Sequence, residues 1–452
     1  MNNSTPSVEN MGYAQEFKRV LSLKDLVFYG IAFMTPIAPA YMFGIISTNT
    51  GGLLATAYVF AMIAMMFTAY SYGKMAAAFP FAGSTYSYTQ RSINPHLGFL
   101  AGWAMFLDYV LVPLSVFVAG ANYAHAAIPA IPYWVCVLVI AGSVTAVNCF
   151  GIKLAALTNN LLVIYMGLVV VIFVVSCVRA LLGGVGEATL FSTKPFFNPE
   201  TFSSATLVSG VALACFSFLG FDSISTLSEE ANKPEKNIGR AAILACLFGG
   251  LLFILQAYVG QMVWPDITTY PSVYTAMFDI AKAAGGTLVS SLLTSAVLVS
   301  CLSAGIAGQA SAARLMFGMG RDEVLPKKFF AHLHPKYKTP TYNIFIMAAI
   351  GIAGALLIPF ASIAEMMNFG GLLGFMCVNL SVFAYYYVKN KERNVLKNLI
   401  LPLLGFAVCF YLWIHLSPRA LIVGFSWLTI GLIYAAITTK GFKKIPPTLG
   451  DL

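Results

Sequence analysis

The sequence predicts an all-α integral membrane protein with twelve transmembrane helices. Hydrophobic residues make up 59% of its 452 residues and charged residues only 10%, whereas an average soluble domain carries roughly 25% charged residues. Apolar runs of about 20 residues, the length that crosses a hydrocarbon core, recur along the whole chain. Because these runs follow one another so closely, no segment is left that would form a separate soluble domain.

The predicted spans fill the chain between two polar ends. They lie at residues 26–48, 53–73, 98–121, 132–150, 158–180, 205–228, 240–263, 288–317, 341–360, 363–388, 398–416 and 420–438. Residues 1–25, which begin with "MNNSTPSVENMG", lack the charged and then apolar layout of a cleaved signal peptide. We therefore expect a short cytosolic tail at the N-terminus.

The distribution of lysine and arginine predicts the orientation. Twelve spans place both termini on one side of the membrane, and only four of the 26 basic residues fall on the other side: Arg179, Lys194, Lys282 and Arg419. By the positive-inside rule, both termini are expected in the cytoplasm. This asymmetry accounts for the formal net charge of +9, so a nucleic acid partner is not expected.

The polar residues do not form the patterns of a cofactor or metal site. The eight cysteines lie within or at the ends of apolar spans without a CxxC pair, and the five histidines lie in loops or near span ends. No GxxxxGK[ST] loop is present, so ATP is not expected to drive the protein directly. A membrane-embedded enzyme or sensor is the remote alternative, because it would need a catalytic constellation or an added soluble domain.

Two of the predicted spans are interrupted at their centres. The first contains "TPIAP", in which Pro36 and Pro39 each remove a backbone donor and clash with the preceding turn. The sixth contains Gly220 and Asp222, and a carboxylate at mid-membrane costs about 2.5–3.5 kcal/mol on insertion scales. A proline kink alone is more often packing geometry, but two interruptions five spans apart are typical of inverted-repeat transporters. Unwound backbone is tolerated at this depth where it lines a cavity, so a binding site is expected here.

Four segments resemble the amino acid–polyamine–organocation (APC) superfamily of secondary transporters, and among its members the bacterial putrescine importers. They are "YSYGKMAAAFPFAGSTYSYTQRSINPHLGFLAGWAMFLDYVLVP", "CFSFLGFDSISTLSEEANKPEKNIGRA", "SAARLMFGMGRDEVLPKKFFAHLHPKYKTP" and "MNFGGLLGFMCVNLSVF". With the span count, they cover almost the whole chain. The match is specific for the superfamily and less so for the substrate.

The resemblance implies a LeuT-type fold of two inverted five-helix repeats, with discontinuous helices 1 and 6 and alternating access around a central site. The ten-helix transport core would occupy residues 26–388, and two accessory helices with a cytosolic tail would occupy 389–452. Glu229, Glu230 and Arg240 then lie at the cytosolic mouth of span 6, where charged partners can close an inward gate. The alternative is that they are ordinary solvated interface charges.

The resemblance also suggests which residues contact the substrate. The candidates come from the first, third and sixth spans: Thr35, Ile37, Ala38, Tyr41, Asp108, Tyr109, Phe218, Gly220 and Asp222. Asp108 and Tyr109 lie in the "LDY" sequence that the putrescine importers share, and Tyr109 could stack on an ammonium group. An alternative of equal weight is that Asp108 does not contact the substrate and instead couples protons or pairs helices. Glu365, at the start of span 10, is a candidate for gating or coupling.

The substrate is predicted to be a small organic cation such as putrescine, or an amino acid. Most amino acid carriers of the superfamily grip the carboxylate with bare N–H groups of a Gly/Ser-rich segment, whereas Pro36 and Pro39 delete two donors here. One departure opposes the polyamine interpretation, because Tyr41 stands where the putrescine importers have an aspartate; Glu365 is the candidate substitute for that acid. The alternative is an amino acid carrier or an amino acid/amine exchanger.

The energy source is expected to be a gradient across the bacterial inner membrane. Sodium-independent relatives often carry a lysine in span 5 where Met166 aligns, so this position supplies neither a lysine nor a sodium ligand. Proton symport through one of the buried acids is expected, and substrate exchange is the alternative. No cofactor is expected, and the sequence allows either a monomer or a homodimer.

Overall fold

The computed structural model describes residues 19–80, 84–127, 130–150, 152–271, 273, 276–321, 325–358 and 360–443. Within these ranges the chain is helical, and its only extended pairing is an isolated bridge between Leu21 and Ala231. The α-helices are α1 (Leu23–Met34), α2 (Pro39–Asn49), α3 (Leu54–Ala78), α4 (Ser84–Ser92), α5 (Pro95–Ala127), α6 (Tyr133–Cys149), α7 (Ile152–Leu182), α8 (Ser204–Cys215), α9 (Pro234–Val263), α10 (Ala276–Arg321), α11 (Lys327–Phe330), α12 (Thr341–Leu357), α13 (Phe360–Val382), α14 (Leu401–Ile414) and α15 (Pro418–Thr438). The prediction of an all-α membrane protein is confirmed.

Most helices have the length and composition of membrane spans. Among the described residues, nine helices are long and apolar enough to cross a membrane, and the bent pair of α1 and α2 makes ten. Two more apolar helices, α6 and α12, have 17 residues each and coincide with the fourth and ninth predicted spans. Every predicted span therefore overlaps a helix or an interrupted pair of helices.

Two helical features were not predicted from the sequence. Helix α4 is polar yet almost entirely buried, so no apolar period marks it. Helix α10 begins at Ala276, about twelve residues before the predicted eighth span, and contains non-helical backbone at Gly285 and Gly286. The residues before this break form a separate helical segment that ordinary hydropathy does not reveal.

The core is built by close approach of helices that carry small residues. Gly73 of α3 faces Gly239 of α9, since a Cβ built on Gly73 would lie 2.8 Å from the Gly239 Cα. Gly308 of α10 approaches α5 in the same way, with Val112 Cγ1 2.4 Å from its ideal Cβ. Without a hydrophobic force between helices inside lipid, such contacts supply van der Waals packing instead. They hold the helices that surround the interrupted spans.

The last two helices dock on the outside of this bundle. The indole N–H of Trp103 in α5 donates to the Trp427 carbonyl of α15 at 3.0 Å, and the Trp427 N–H donates to the Trp103 carbonyl at 2.9 Å. The two rings stack with centroids 4.9 Å apart. This reciprocal pair satisfies both buried donors and fixes α15 against α5.

Candidate functional site

The first span is broken between α1 and α2. Helix α1 ends at Met34, and Thr35 then takes a φ of 57° and a ψ of 118°, outside the helical region. Helix α2 begins at Pro39, and the two axes differ by 53°. Because a β-branched residue rarely adopts positive φ, the surrounding structure must hold this conformation. The break predicted from Pro36 and Pro39 is present.

Several backbone N–H groups of the unwound segment already donate hydrogen bonds to carbonyls of the same segment. The Ala38 N–H donates to the Thr35 carbonyl at 3.0 Å, and the Ala40 and Tyr41 N–H groups donate to carbonyls three residues earlier, at 2.9 and 3.2 Å. Proline has no N–H to offer. The Pro36 carbonyl is held from outside, since Gln256 Nε2 of α9 donates to it at 2.8 Å. The segment therefore offers few donors to an anion.

The second interruption lies directly after α8. A 3₁₀ turn covers Phe216–Phe218, and Gly220 then has a φ of 118°, which only glycine adopts without strain. A second 3₁₀ segment follows at Phe221–Leu227. The Gly220 N–H donates to Asp222 Oδ1 at 3.1 Å, so the carboxylate closes the turn that it follows. Both interruptions lie at the centre of the helical bundle, as expected.

A buried cavity lies between the two interruptions. It offers about 60 Å³ to the centres of water-sized atoms. The lining residues come from α1, the break after it, α2, α5, the segment that follows α8, α10 and α13: Phe33, Met34, Thr35, Ala38, Tyr41, Val112, Ser115, Val116, Ala119, Phe216, Ser217, Leu219, Cys301, Ala304 and Met367. None of these described lining residues is charged. The polar groups are hydroxyls and a thiol on largely apolar walls, a composition typical of small-molecule sites.

The structure separates the predicted substrate contacts into two sets. Thr35, Ala38 and Tyr41 line the cavity, and the Tyr41 hydroxyl forms a hydrogen bond with Ser300 of α10. The other candidates whose side chains are described are buried but do not line it: Ile37, Asp108, Phe218, Gly220 and Asp222. The side chains of Tyr109 and Glu365 lie outside the described residues.

Asp108 lies close to the cavity without lining it. It precedes Val112, a lining residue, by four positions, so both project from one face of α5. Asp108 is 98% buried, and its Oδ1 forms no hydrogen bond with any described residue. Asp108 and the lining residue Leu219 both approach Gly371, since an ideal Cβ there would lie 2.7 Å from Leu219 Cδ2 and 3.8 Å from Asp108 Oδ2.

Buried ion pairs close the end of the bundle where α1 begins. Glu230 Oε1 accepts a hydrogen bond from Arg314 Nε at 2.9 Å, and Glu229 Oε1 lies 3.6 Å from an Arg321 nitrogen. The chain before α1 joins the same cluster, since the N–H groups of Val20 and Leu21 donate to the Glu230 carbonyl at 2.9 and 3.0 Å. The cluster links α1, the segment after Leu227, and α10.

Arg240 does not form either of these ion pairs. It lies in α9 and is exposed, whereas both arginines of the cluster belong to α10. The sequence alone did not select Arg314, near the end of the eighth predicted span, or Arg321, just after it, because nothing in the local pattern relates them to Glu229 or Glu230. Their spacing of seven residues, which places both on one helical face, is the signal that was available.

The sequence matches a known transporter family. The family model for amino acid permeases covers residues 26–448. The chain belongs to the amino acid permease family. This permease is therefore a multi-pass membrane transporter and not an enzyme, as the sequence predicted.

Curated relatives span its full length. The permease is 37% identical to the low-affinity putrescine importer PlaP of Escherichia coli (strain K12), over 100% of this chain and 99% of that protein. It is 24% identical to the branched-chain amino acid permease BcaP of Bacillus subtilis, over 95% of each chain. It is also 26% identical to the methylthioribose transporter of the same organism, over 94% of this chain and 95% of that one. The resemblance to the APC superfamily and its putrescine importers is confirmed.

Proposed function

We propose that this permease imports a small organic amine such as putrescine across the bacterial inner membrane, coupled to protons, by alternating access. The observation that carries the proposal is the position of Asp108, a buried carboxyl group with an unpartnered oxygen, one turn of α5 before the lining residue Val112. A buried carboxyl group is compensated by a cation but remains costly without one. An ammonium group arriving from the cavity supplies that partner.

The broken helix supports an amine over a carboxylate. A carboxylate in this fold would need free N–H groups at the start of α2, and the N–H groups of Ala38, Ala40 and Tyr41 already bond to the chain itself. Carbonyl oxygens carry two lone pairs, so those at the break can still accept from an ammonium group. The cavity's chemistry is therefore better matched to a cation.

The size of the cavity favours a small substrate. A space of about 60 Å³ for atom centres holds roughly four to six water-sized atoms. Putrescine, with four carbons and two nitrogens, is of that size. The full-length similarity to PlaP supports the same substrate class.

The transport cycle that we propose uses the two helix breaks as moving parts. Ten of the twelve spans form the two LeuT-type repeats at residues 26–388, the other two are accessory helices at 389–452, and both termini are in the cytoplasm. Glu229 and Glu230 hold the cytosolic gate closed through Arg321 and Arg314. We retain Arg240 and Glu365 as candidates for gating or coupling, and Ile37, Tyr109, Phe218, Gly220 and Asp222 as residues that contact the substrate during the cycle.

We assign proton coupling to the two buried carboxyl groups of the third and sixth spans. Asp108 and Asp222 are both at least 98% buried, and a buried acid binds and releases a proton when its access to water changes. Opening of the ion-pair cluster on the cytosolic side would expose this region to water. The proton would then leave on the same side as the amine.

Uptake of labelled putrescine into proteoliposomes with an imposed pH gradient tests this function. We expect uptake to require the gradient, to be inhibited by diamines, and to fall about thirtyfold or more in Asp108→Asn, which removes one partner of a buried charge pair. Glu200→Gln, which changes an exposed carboxylate, serves as the control and should transport normally. Uptake that needs internal substrate instead of a pH gradient would establish exchange.

An amino acid carrier is the second candidate. The observation that favours it is the uncharged, largely apolar cavity wall, which would accommodate an aliphatic side chain. The same assay, repeated with labelled leucine, distinguishes the two, because leucine would be taken up in this case and putrescine would not. That result would overturn the argument from the prolines and leave the transporter assignment intact.

A further inference from the structure

A second concave site lies on the outer surface of the bundle and shares no lining residue with the central cavity. It is formed by the last three turns of α7 and by α10 at its break, and we call it the α7–α10 groove: Val171, Val175, Arg179, Gly285, Leu288 and Val289. It offers about 620 Å³ to the centres of water-sized atoms, which is far more than the central cavity does. Nothing in the transport mechanism uses it.

The walls of the α7–α10 groove face outward from the protein. Val171, Val175 and Leu288 are 57%, 51% and 72% exposed. They belong to helices that qualify as membrane spans, and large exposed apolar side chains on such helices contact lipid. The occupant of the groove must therefore be at least partly apolar.

Two glycines shape the groove. Gly285 and Gly286 are non-helical, and Gly286 has a φ of 69°. A Cβ on Gly285 would lie 2.2 Å from Val289 Cγ2, so a larger residue would displace the wall. The same Cβ would lie 3.2 Å from Ser176 Cβ of α7, so α10 packs closely against α7 at the break.

Arg179 places a positive charge at one end of the groove. It lies three residues before the end of α7, whose apolar span covers Asn160–Leu182, so it is at the depth of lipid headgroups. Arg179 is exposed, forms no ion pair with any described residue, and shares the groove with no described acidic residue. An unpaired guanidinium at the membrane surface attracts phosphate, which it can bind through two parallel N–H groups.

We infer that the α7–α10 groove binds an anionic phospholipid, with the phosphodiester on Arg179 and an acyl chain along Val175 and Val171. The eight residues from Arg179 to Val171 span about 12 Å of helix, which directs the apolar wall from the headgroup region toward the middle of the bilayer. A soluble phosphate would use only the arginine. The length and apolar character of the groove favour the lipid, and the inference does not depend on the transported substrate.

Native mass spectrometry of the full chain in detergent tests the site. The probes are phosphatidylglycerol and phosphatidylcholine with identical acyl chains, so that only the headgroup charge differs. We expect phosphatidylglycerol to bind more tightly, and Arg179→Gln to weaken its binding about fivefold, the equivalent of one arginine at an anionic surface. Arg419→Gln, which removes another exposed arginine, should leave binding unchanged.

Two further measurements keep the inference testable if the arginine variant is inconclusive. Val175→Trp fills the groove but retains Arg179, and it should reduce phosphatidylglycerol binding as well. Inorganic phosphate should not displace the lipid, because it lacks the acyl chain. Equal binding of both lipids, or equal loss in Arg179→Gln and Arg419→Gln, would overturn the inference.

Discussion

Arg314 Nε donates a hydrogen bond to Glu230 Oε1 at 2.9 Å, and their side chains are only 10% and 4% exposed. The pair joins α10 to the segment that follows the second helix break. Desolvation of two charges is costly, so a buried pair is valuable chiefly because each partner compensates the other. The geometry suits a gate, because separation of α10 from this segment requires both charges to regain water.

Loss of one partner of this pair should destabilise the closed protein strongly. Arg314→Met leaves Glu230 buried without compensation, and we expect a loss of about 3–5 kcal/mol in thermal unfolding. The double variant Arg314→Met/Glu230→Leu should recover most of that loss. Lys194→Met, which breaks the surface pair with Glu187, should cost at most about 1 kcal/mol. A double variant as unstable as the single one would show that the two charges are not coupled.

The turn at Gly220 should tolerate no side chain. Its φ is 118°, and an added Cβ would lie 2.2 Å from Cδ1 of Phe33, a residue that lines the cavity. We expect Gly220→Ala to abolish uptake and to cost more than about 1 kcal/mol of stability. Gly142→Ala, in helix α6 with no atom near the new Cβ, should gain up to about 1 kcal/mol. Normal transport by Gly220→Ala would mean that this turn is not rigid.

Gln256 should hold the unwound segment of the first span in place. Its Nε2 donates to the Pro36 carbonyl at 2.8 Å, and Gln256→Leu would leave that carbonyl without this donor at a cost of about 1–3 kcal/mol. We expect faster hydrogen–deuterium exchange in the peptide that contains Thr35 and Tyr41. Gln261→Leu, on the same helix, removes a bond to Ser47 instead and should not change exchange at the break. Identical exchange patterns in both variants would contradict this role.

Leu219 should set the depth of the substrate site. Leu219 lines the cavity, and its side chain and that of Asp108 both approach Gly371. Leu219→Ala should join the space around Asp108 to the cavity, so that cadaverine and longer diamines compete better relative to putrescine, despite a stability loss of about 2–5 kcal/mol. Leu227→Ala, a fully buried leucine of the same region, is the control. An unchanged ratio of inhibition constants in Leu219→Ala would contradict the depth argument.

The architecture was largely predictable because it depends on local composition. Apolar runs long enough to cross a bilayer mark the helices whatever their neighbours are. Helix α4 shows the limit of that signal, since its polar residues are buried by tertiary contacts alone. The early start of α10 shows a second limit of the hydropathy signal. The segment before the break at Gly285 and Gly286 is positioned by how the helix packs against α7, which local composition does not reveal.

The sequence by itself determined the membrane class, the helical spans and the two interruptions, because proline, glycine and a buried acid act on their own helix. Only the tertiary structure decided which candidates meet. It placed Thr35 and Tyr41 at the cavity and brought Asp108 and Leu219 together at Gly371. It also paired Glu230 with Arg314, 84 residues away in the chain. Such contacts depend on how helices pack against one another, and the sequence of one helix carries no record of which residues its neighbours present.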